Sequence, residues 1–156
     1  MNTSHCHSDD NSQYLLGADE QILQAISAGA LLPDVLNKIC DALGCQIANV
    51  VSLISLPWHD VSDLVAIAKN AALCGLYTFC SEALVSENDE LLGSLEMYCC
   101  DRRGPSPSEL QLIERAKHLA ALAIKREIEK NRRVHCGVLE NPPVRGNMDA
   151  GPVHVN

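Results

Sequence analysis

Eight cysteines carry most of the chemical potential in this sequence, and Cys74, Cys80, Cys99 and Cys100 lie close together in it. A thiolate binds soft metals or attacks disulfides, whereas a buried, protonated thiol simply fills apolar space. Spacing separates these uses. Cys74 and Cys80 stand too far apart for a tight zinc loop, which sets its ligands about two to four residues apart. Cys99 and Cys100 are neighbours, and in a strand neighbours point to opposite faces and cannot grip one ion from one side. These cysteines therefore read as core fillers. The alternative is a thiol-based redox or metal sensor that uses them.

The histidines add little. His5, Cys6 and His7 form a cluster that would catch a transition metal opportunistically, but it lies in a polar leader without further ligands. His118 falls in a helical pattern beside an apolar stripe. His59 adjoins Trp58, the sole tryptophan, and no acid or nucleophile is placed to pair with it. The reading contains no catalytic residue, no metal site and no cofactor, so the chain is expected not to be an enzyme.

The bulk composition narrows the class. At 156 residues the chain suits one domain with a real core, and with aromatics at 3% that core must be built from Leu, Ile, Val, Ala and Cys. A formal charge of −8 argues against a nucleic-acid partner. The N-terminus, MNTSHCHSDDNSQ, carries acids where an export signal would carry a basic stretch and an apolar run. The run LGCQIANVVSLISLPW is too short and too polar for a membrane span. A cytoplasmic location with reduced thiols and no membrane partner is expected, so the cysteines are not a disulfide framework.

Stepping along the chain, a disordered leader is expected over 1–17, a domain over 18–133 and a disordered tail over 134–156. Asp19 can cap a first helix that Gly29 interrupts. Pro33 opens a second, with Val35, Leu36, Ile39, Cys40 and Leu43 on one stripe and Gly44 as its terminator. CQIANVVSLISL, Cys45 to Leu56, is β-branched and apolar on both faces, which suits a central strand covered on both sides. A helix follows, with Asp60 or Ser62 as cap and Leu64, Ile67, Ala68 and Ala71 on its apolar face. Then come two strands, Leu76–Ser86 and Leu91–Cys100, joined by an acidic turn, Glu87-Asn88-Asp89-Glu90.

The strongest local signal is GPSPSELQLIERAKHLAALAIKREIEKNRR. Ser106, Pro107 and Glu109 make a capping box with proline at its favoured site. The helix that follows is longer than a small sheet needs as cover. Its stripe of Leu112, Ala116, Leu119, Ala123 and Ile128 is expected to stay partly exposed and to form a dimer face. Lys125, Arg126, Lys130, Arg132 and Arg133 complement the carbonyl end of its dipole. The fold class is α+β: a small antiparallel sheet flanked by helices, with a long C-terminal helix and its first and last helices side by side.

Over roughly residues 20–131 these segments resemble the GAF domain, a small-molecule-sensing module of bacterial signalling proteins. ILQAISAGALLPDVLNKICDALG is similar to the opening helices, and PWHDVSDLVAIAKNAALCGL to the helix before the last hairpin. SEALVSENDELLGSLEMYCCDRRGPSPSELQLIERAKHLAALAIKR is similar to the last hairpin and closing helix. The chain departs from the family in two ways. The two further strands and Gly-rich segment usual before the Pro-Trp helix are missing, and Cys80 and Ala83 stand where an aromatic and a proline are usual. The resemblance implies a shortened, non-catalytic signalling module that acts through helix-mediated homodimerisation. It also implies a separate output protein, such as a cyclase, phosphodiesterase or kinase, and a reduced small-molecule pocket for which Trp58, Phe79, Cys80 and Met97 are the candidates. A remnant that only dimerises, without a ligand, is a third reading.

Overall fold

The computed structural model describes residues 9–58 and 61–138, with side chains described over 17–58 and 66–134. The order is α1 (Asp9–Ala28), α2 (Leu32–Gln46), β1 (Val50–Ser55), α3 (Val61–Leu73), β2 (Tyr77–Val85), β3 (Leu91–Cys99) and α4 (Pro107–Val138). This is the α+β arrangement expected, with an antiparallel sheet and a long closing helix.

Helix α1 begins at Asp9, well before the expected cap at Asp19, so the expected boundary at 17/18 falls inside a helix. The segment DDNSQ has no apolar periodicity to reveal it. Asp19 is a mid-helix residue and pairs with Arg115 of α4 instead. Gly29 ends the helix in the left-handed conformation, at φ +79°. Its N–H bonds the Ile26 carbonyl at 3.2 Å, and the Ala30 N–H bonds that of Ala25 at 3.0 Å. That pair of bonds is a Schellman motif, with glycine where a Cβ would be strained.

Pro33 lies in the first turn of α2, and Val35, Leu36, Ile39 and Leu43 form its buried stripe. Gly44 does not terminate it. The helix runs on to Gln46, the Ile47 N–H still bonds Leu43 O at 2.8 Å, and Asn49 (φ +61°) makes the turn. The extra turn delivers Ile47 into full burial.

The sheet order is β1-β3-β2, so the central strand is β3. Strand β1 is an edge strand. Among the described residues it pairs only with β3, from Val50 opposite Cys99 to Ser55 opposite Ser94, and Val51 on its far face is 58% exposed. Apolar residues on both faces do not make a strand central when no further strand among the described residues flanks it. Strand β2 pairs along the other side of β3, with breaks in register at Thr78/Cys80 and Leu84/Val85. Leu95, Met97 and Cys99 alternate along β3 onto one buried face, where they join the core with Leu36, Ile39, Ile113, Ala120 and Ile124 of α2 and α4. Helices α1 and α4 lie side by side as expected, but α2 is the main partner of α4.

Helix α4 opens on the expected reciprocal cap. The Ser106 N–H bonds Glu109 Oε2 at 2.7 Å, and the Glu109 N–H bonds Ser106 Oγ at 3.3 Å. It spans 32 residues and continues past 133, so the expected tail starts inside it. At about 1.5 Å per residue it is about 48 Å long.

Candidate functional site

Of the four candidate pocket residues, Cys80 and Met97 face each other across β2 and β3 beside Phe79, and Trp58 stands apart from them. Met97 is fully buried in the core between sheet and helices, and Phe79 is buried beneath Arg103, whose guanidinium lies 4.9 Å from the ring centroid. Cys80 is half-buried on the α4 side of the sheet. Trp58 is 57% exposed and stands with Glu127, Ile128, Asn131 and Arg132 of α4. The hairpin residues face the helical layer because β3 alternates its apolar side chains inward. They form core, not the floor of an open pocket.

The expected dimer face is corrected in the same way. Ala116, Leu119 (7% exposed) and Ala123 are buried, and Leu112 and Ile128 are half-buried against the core. The expectation compared the stripe with the sheet alone. Helices α1 and α2 supply the missing cover: Leu119 and Ala116 face Ile22, Ile39 and Leu43, and Ala123 faces Ile26, Leu32 and Val35.

What remains open on α4 is its C-terminal reach. Ile124 is the last fully buried side chain, and residues 129–134 are exposed. Beside them an apolar groove of about 340 Å³ is lined by Trp58, Glu127, Ile128, Asn131 and Arg132. Val134, one turn further on, is 59% exposed. Part of the basic cluster is occupied locally. Lys125 reaches Glu87 at 3.5 Å, Lys130 reaches Glu127 at 3.7 Å, and Arg126 donates to Ser27 O at 3.3 Å.

The hairpin cysteines occupy different settings. Cys99 is buried and donates to Asp101 O at 2.7 Å, whereas Cys100 is exposed, as opposite strand faces require. Cys74 lies in the turn after α3 and is exposed. Cys80 Sγ sits 3.7 Å from Glu82 Oε1, and Glu82 in turn pairs with Lys117 at 2.9 Å. Burial and then the Glu82 charge push the Cys80 thiol up, away from the reactive thiolate. Cys40 of α2 is also pushed up by burial, an effect reduced by its hydrogen bond with Ser52. Among the described residues no group of three or more His, Cys, Asp or Glu is placed to hold a metal ion. His59, Asp60 and the His5-Cys6-His7 cluster lie outside the described residues, as does the Ser62 side chain. His118 is exposed on α4.

Glu109 has the most displaced titration. The Arg103 guanidinium, forked across both carboxylate oxygens at 2.9 Å, and the Ser106 N–H hold it down at about 2. This fixes the β3–α4 loop: Arg103 covers Phe79 and anchors the helix cap at once.

No helix among the described residues is long and apolar enough to cross a membrane. A scan against protein-family models finds no match for the chain, and a search of curated proteins finds no significant relative.

Proposed function

We propose that this chain is a non-catalytic regulatory module of GAF-like build, working through association of α4 with its counterpart in a second copy. The observation that carries the reading is the C-terminal reach of α4, which runs on past Ile128, its last contact with the core, and presents Ile128 and Trp58 around one apolar groove with Val134 exposed further along. Exposed apolar surface beside a helix that outruns its own core is characteristic of an interface. The charges agree with a parallel pair. With Ile128 at an a position and Asn131 at the following d, Glu127 falls at g and Arg132 at e of the next heptad. A g residue faces the following e of the partner, so Glu127 would meet Arg132 of the second copy twice in a symmetric dimer. The output would be passed to a separate protein, in the manner the family resemblance implies.

A charge swap tests both the interface and its direction. Arg132→Glu should weaken the dimer by setting acid against acid, and adding Glu127→Arg should restore it. Dimer strength unchanged by Arg132→Glu, or no recovery in the double variant, would overturn the parallel seam.

A further inference from the structure

Trp58 stands opposite α4 at the level of Ile128, where the helix makes its last contact with the core. It shares one groove with Glu127, Ile128, Asn131 and Arg132. In the heptad of the parallel seam these four are g, a, d and e, which together span the contact face of a two-stranded coiled coil. A side chain that lines a groove with both flanks and with the a and d residues between them lies in front of the seam, not beside it. That is the place a second α4 would take.

The space between them is too small for that helix. The groove measures about 340 Å³, whereas one turn of helix, about 10 Å across and about 5.4 Å in pitch, fills about 420 Å³. Residues 127–132 extend over more than one turn. A paired helix, its axis about 8–10 Å from that of α4, therefore does not fit while Trp58 is in place. The chain holds Trp58 lightly. On one side the core ends just before it: Ser55 is buried and Leu56 packs against the core, but Pro57 and Trp58 form an exposed turn. On the other side α3 follows, and Ala71 is the one buried side chain among its described residues 66–73. A segment with so few buried apolar contacts is displaced at low cost.

We infer that Trp58 holds the α4 seam closed in the single chain, so that two copies pair only when it swings aside. The inference rests on the reading of α4 as a dimer seam and adds its regulation. Closure acts by population: a partner binds only the open fraction, and the apparent dissociation constant rises as that fraction falls. Both copies must open, so the factor enters twice. A minor open state of about 10% would weaken the dimer about 100-fold. Whatever draws α3 away from its place carries Trp58 with it and releases the seam, because Trp58 precedes α3 by so short a stretch of chain.

Sedimentation velocity over a concentration series, on the full chain and on Trp58→Ala, tests this. The variant truncates a side chain that is 57% exposed and should dimerise at least about tenfold more tightly than wild type. Adding Arg132→Glu to it should weaken the dimer again, which ties the gain to the α4 seam. Wild type supplies a second readout, because Trp58 is the sole tryptophan. Its fluorescence should become more accessible to acrylamide as the concentration is raised through the dimer range. A Trp58→Ala dimer no tighter than wild type, or quenching that falls or stays level on association, would overturn the closure while leaving the α4 dimer standing; falling quenching would make Trp58 part of the interface. A tighter Trp58→Ala dimer that Arg132→Glu leaves unchanged would place the gain elsewhere and overturn it as well. Single-chain mass for both wild type and Trp58→Ala at high micromolar concentration would overturn the dimer reading and the closure together.

Discussion

The same substitution, glycine to alanine, should have opposite signs at two places in this fold. At Gly93 an added Cβ would lie 2.3 Å from the Ser55 carbonyl oxygen and 3.4 Å from its carbon. Real Cβ atoms do not approach that closely, so the contact must open from 2.3 Å to at least 3.0 Å. The obstacle is backbone, pinned by the pairing of Ser55 with Ser94, and the Leu84 side chain closes the other direction at 3.6 Å. Relief therefore requires the end of β1 to lift off β3. Overpacking costs about 1–3 kcal/mol and each forfeited backbone hydrogen bond about 1 kcal/mol, so Gly93→Ala should destabilise by about 2–4 kcal/mol. At Gly44, inside α2, the nearest atom to an added Cβ is Val50 O at 3.8 Å, an ordinary contact. There alanine should stabilise by about 0.5–1 kcal/mol through its better helix propensity and a less disordered unfolded chain. Urea unfolding followed by far-UV circular dichroism reads both. With a slope of about 2 kcal/mol per M, the midpoint should fall by about 1–2 M for Gly93→Ala and rise by about 0.3–0.5 M for Gly44→Ala. A Gly93→Ala midpoint within about 0.3 M of wild type would refute the β1–β3 register on which the sheet rests.

Two further outcomes follow from side-chain settings. The folded-state titration of Glu109 lies at about 2, below its ordinary value of 4.5, so its contribution is fully present above pH 4.5 and is lost as pH falls from 4.5 towards 2; Glu109→Gln should flatten the stability profile in that window, and an unchanged acid limb would contradict the Arg103–Glu109 cap. Brief alkylation of the native chain with peptide mapping should label Cys45, Cys74 and Cys100 first, Cys40 and Cys80 more slowly, and Cys99 only on unfolding; early labelling of Cys99 would contradict its burial in the core.

The parts of this fold legible in the sequence are those whose causes lie within a few residues. The Ser106–Glu109 box, the break at Gly29 and the acidic hairpin turn each rest on local backbone chemistry, and each stands where it was expected. What was not legible depends on partners distant in the chain. The position of β1 at the edge turns on which strands exist to flank it, and an apolar hexapeptide does not encode that. The burial of Leu119 and Ala123 turns on α2, whose stripe is just as apolar and needs an equal partner. The start of α1 at Asp9 lies in a polar stretch with no period to find. The groove at Trp58 joins residues on either side of the whole hairpin, so no window of sequence contains both of its walls.

Light scattering on the full chain, run from low to high micromolar concentration, tests the central claim most directly. Association through the reach of α4 predicts twice the 16.9 kDa chain mass at the upper end. It also predicts a shift towards single-chain mass for Val134→Glu, which buries nothing in the protomer core and so leaves the fold intact. Leu119→Glu would not test it, because that side chain holds the protomer together. A wild type that keeps its single-chain mass at high micromolar concentration, or a Val134→Glu variant as dimeric as wild type, would contradict the account.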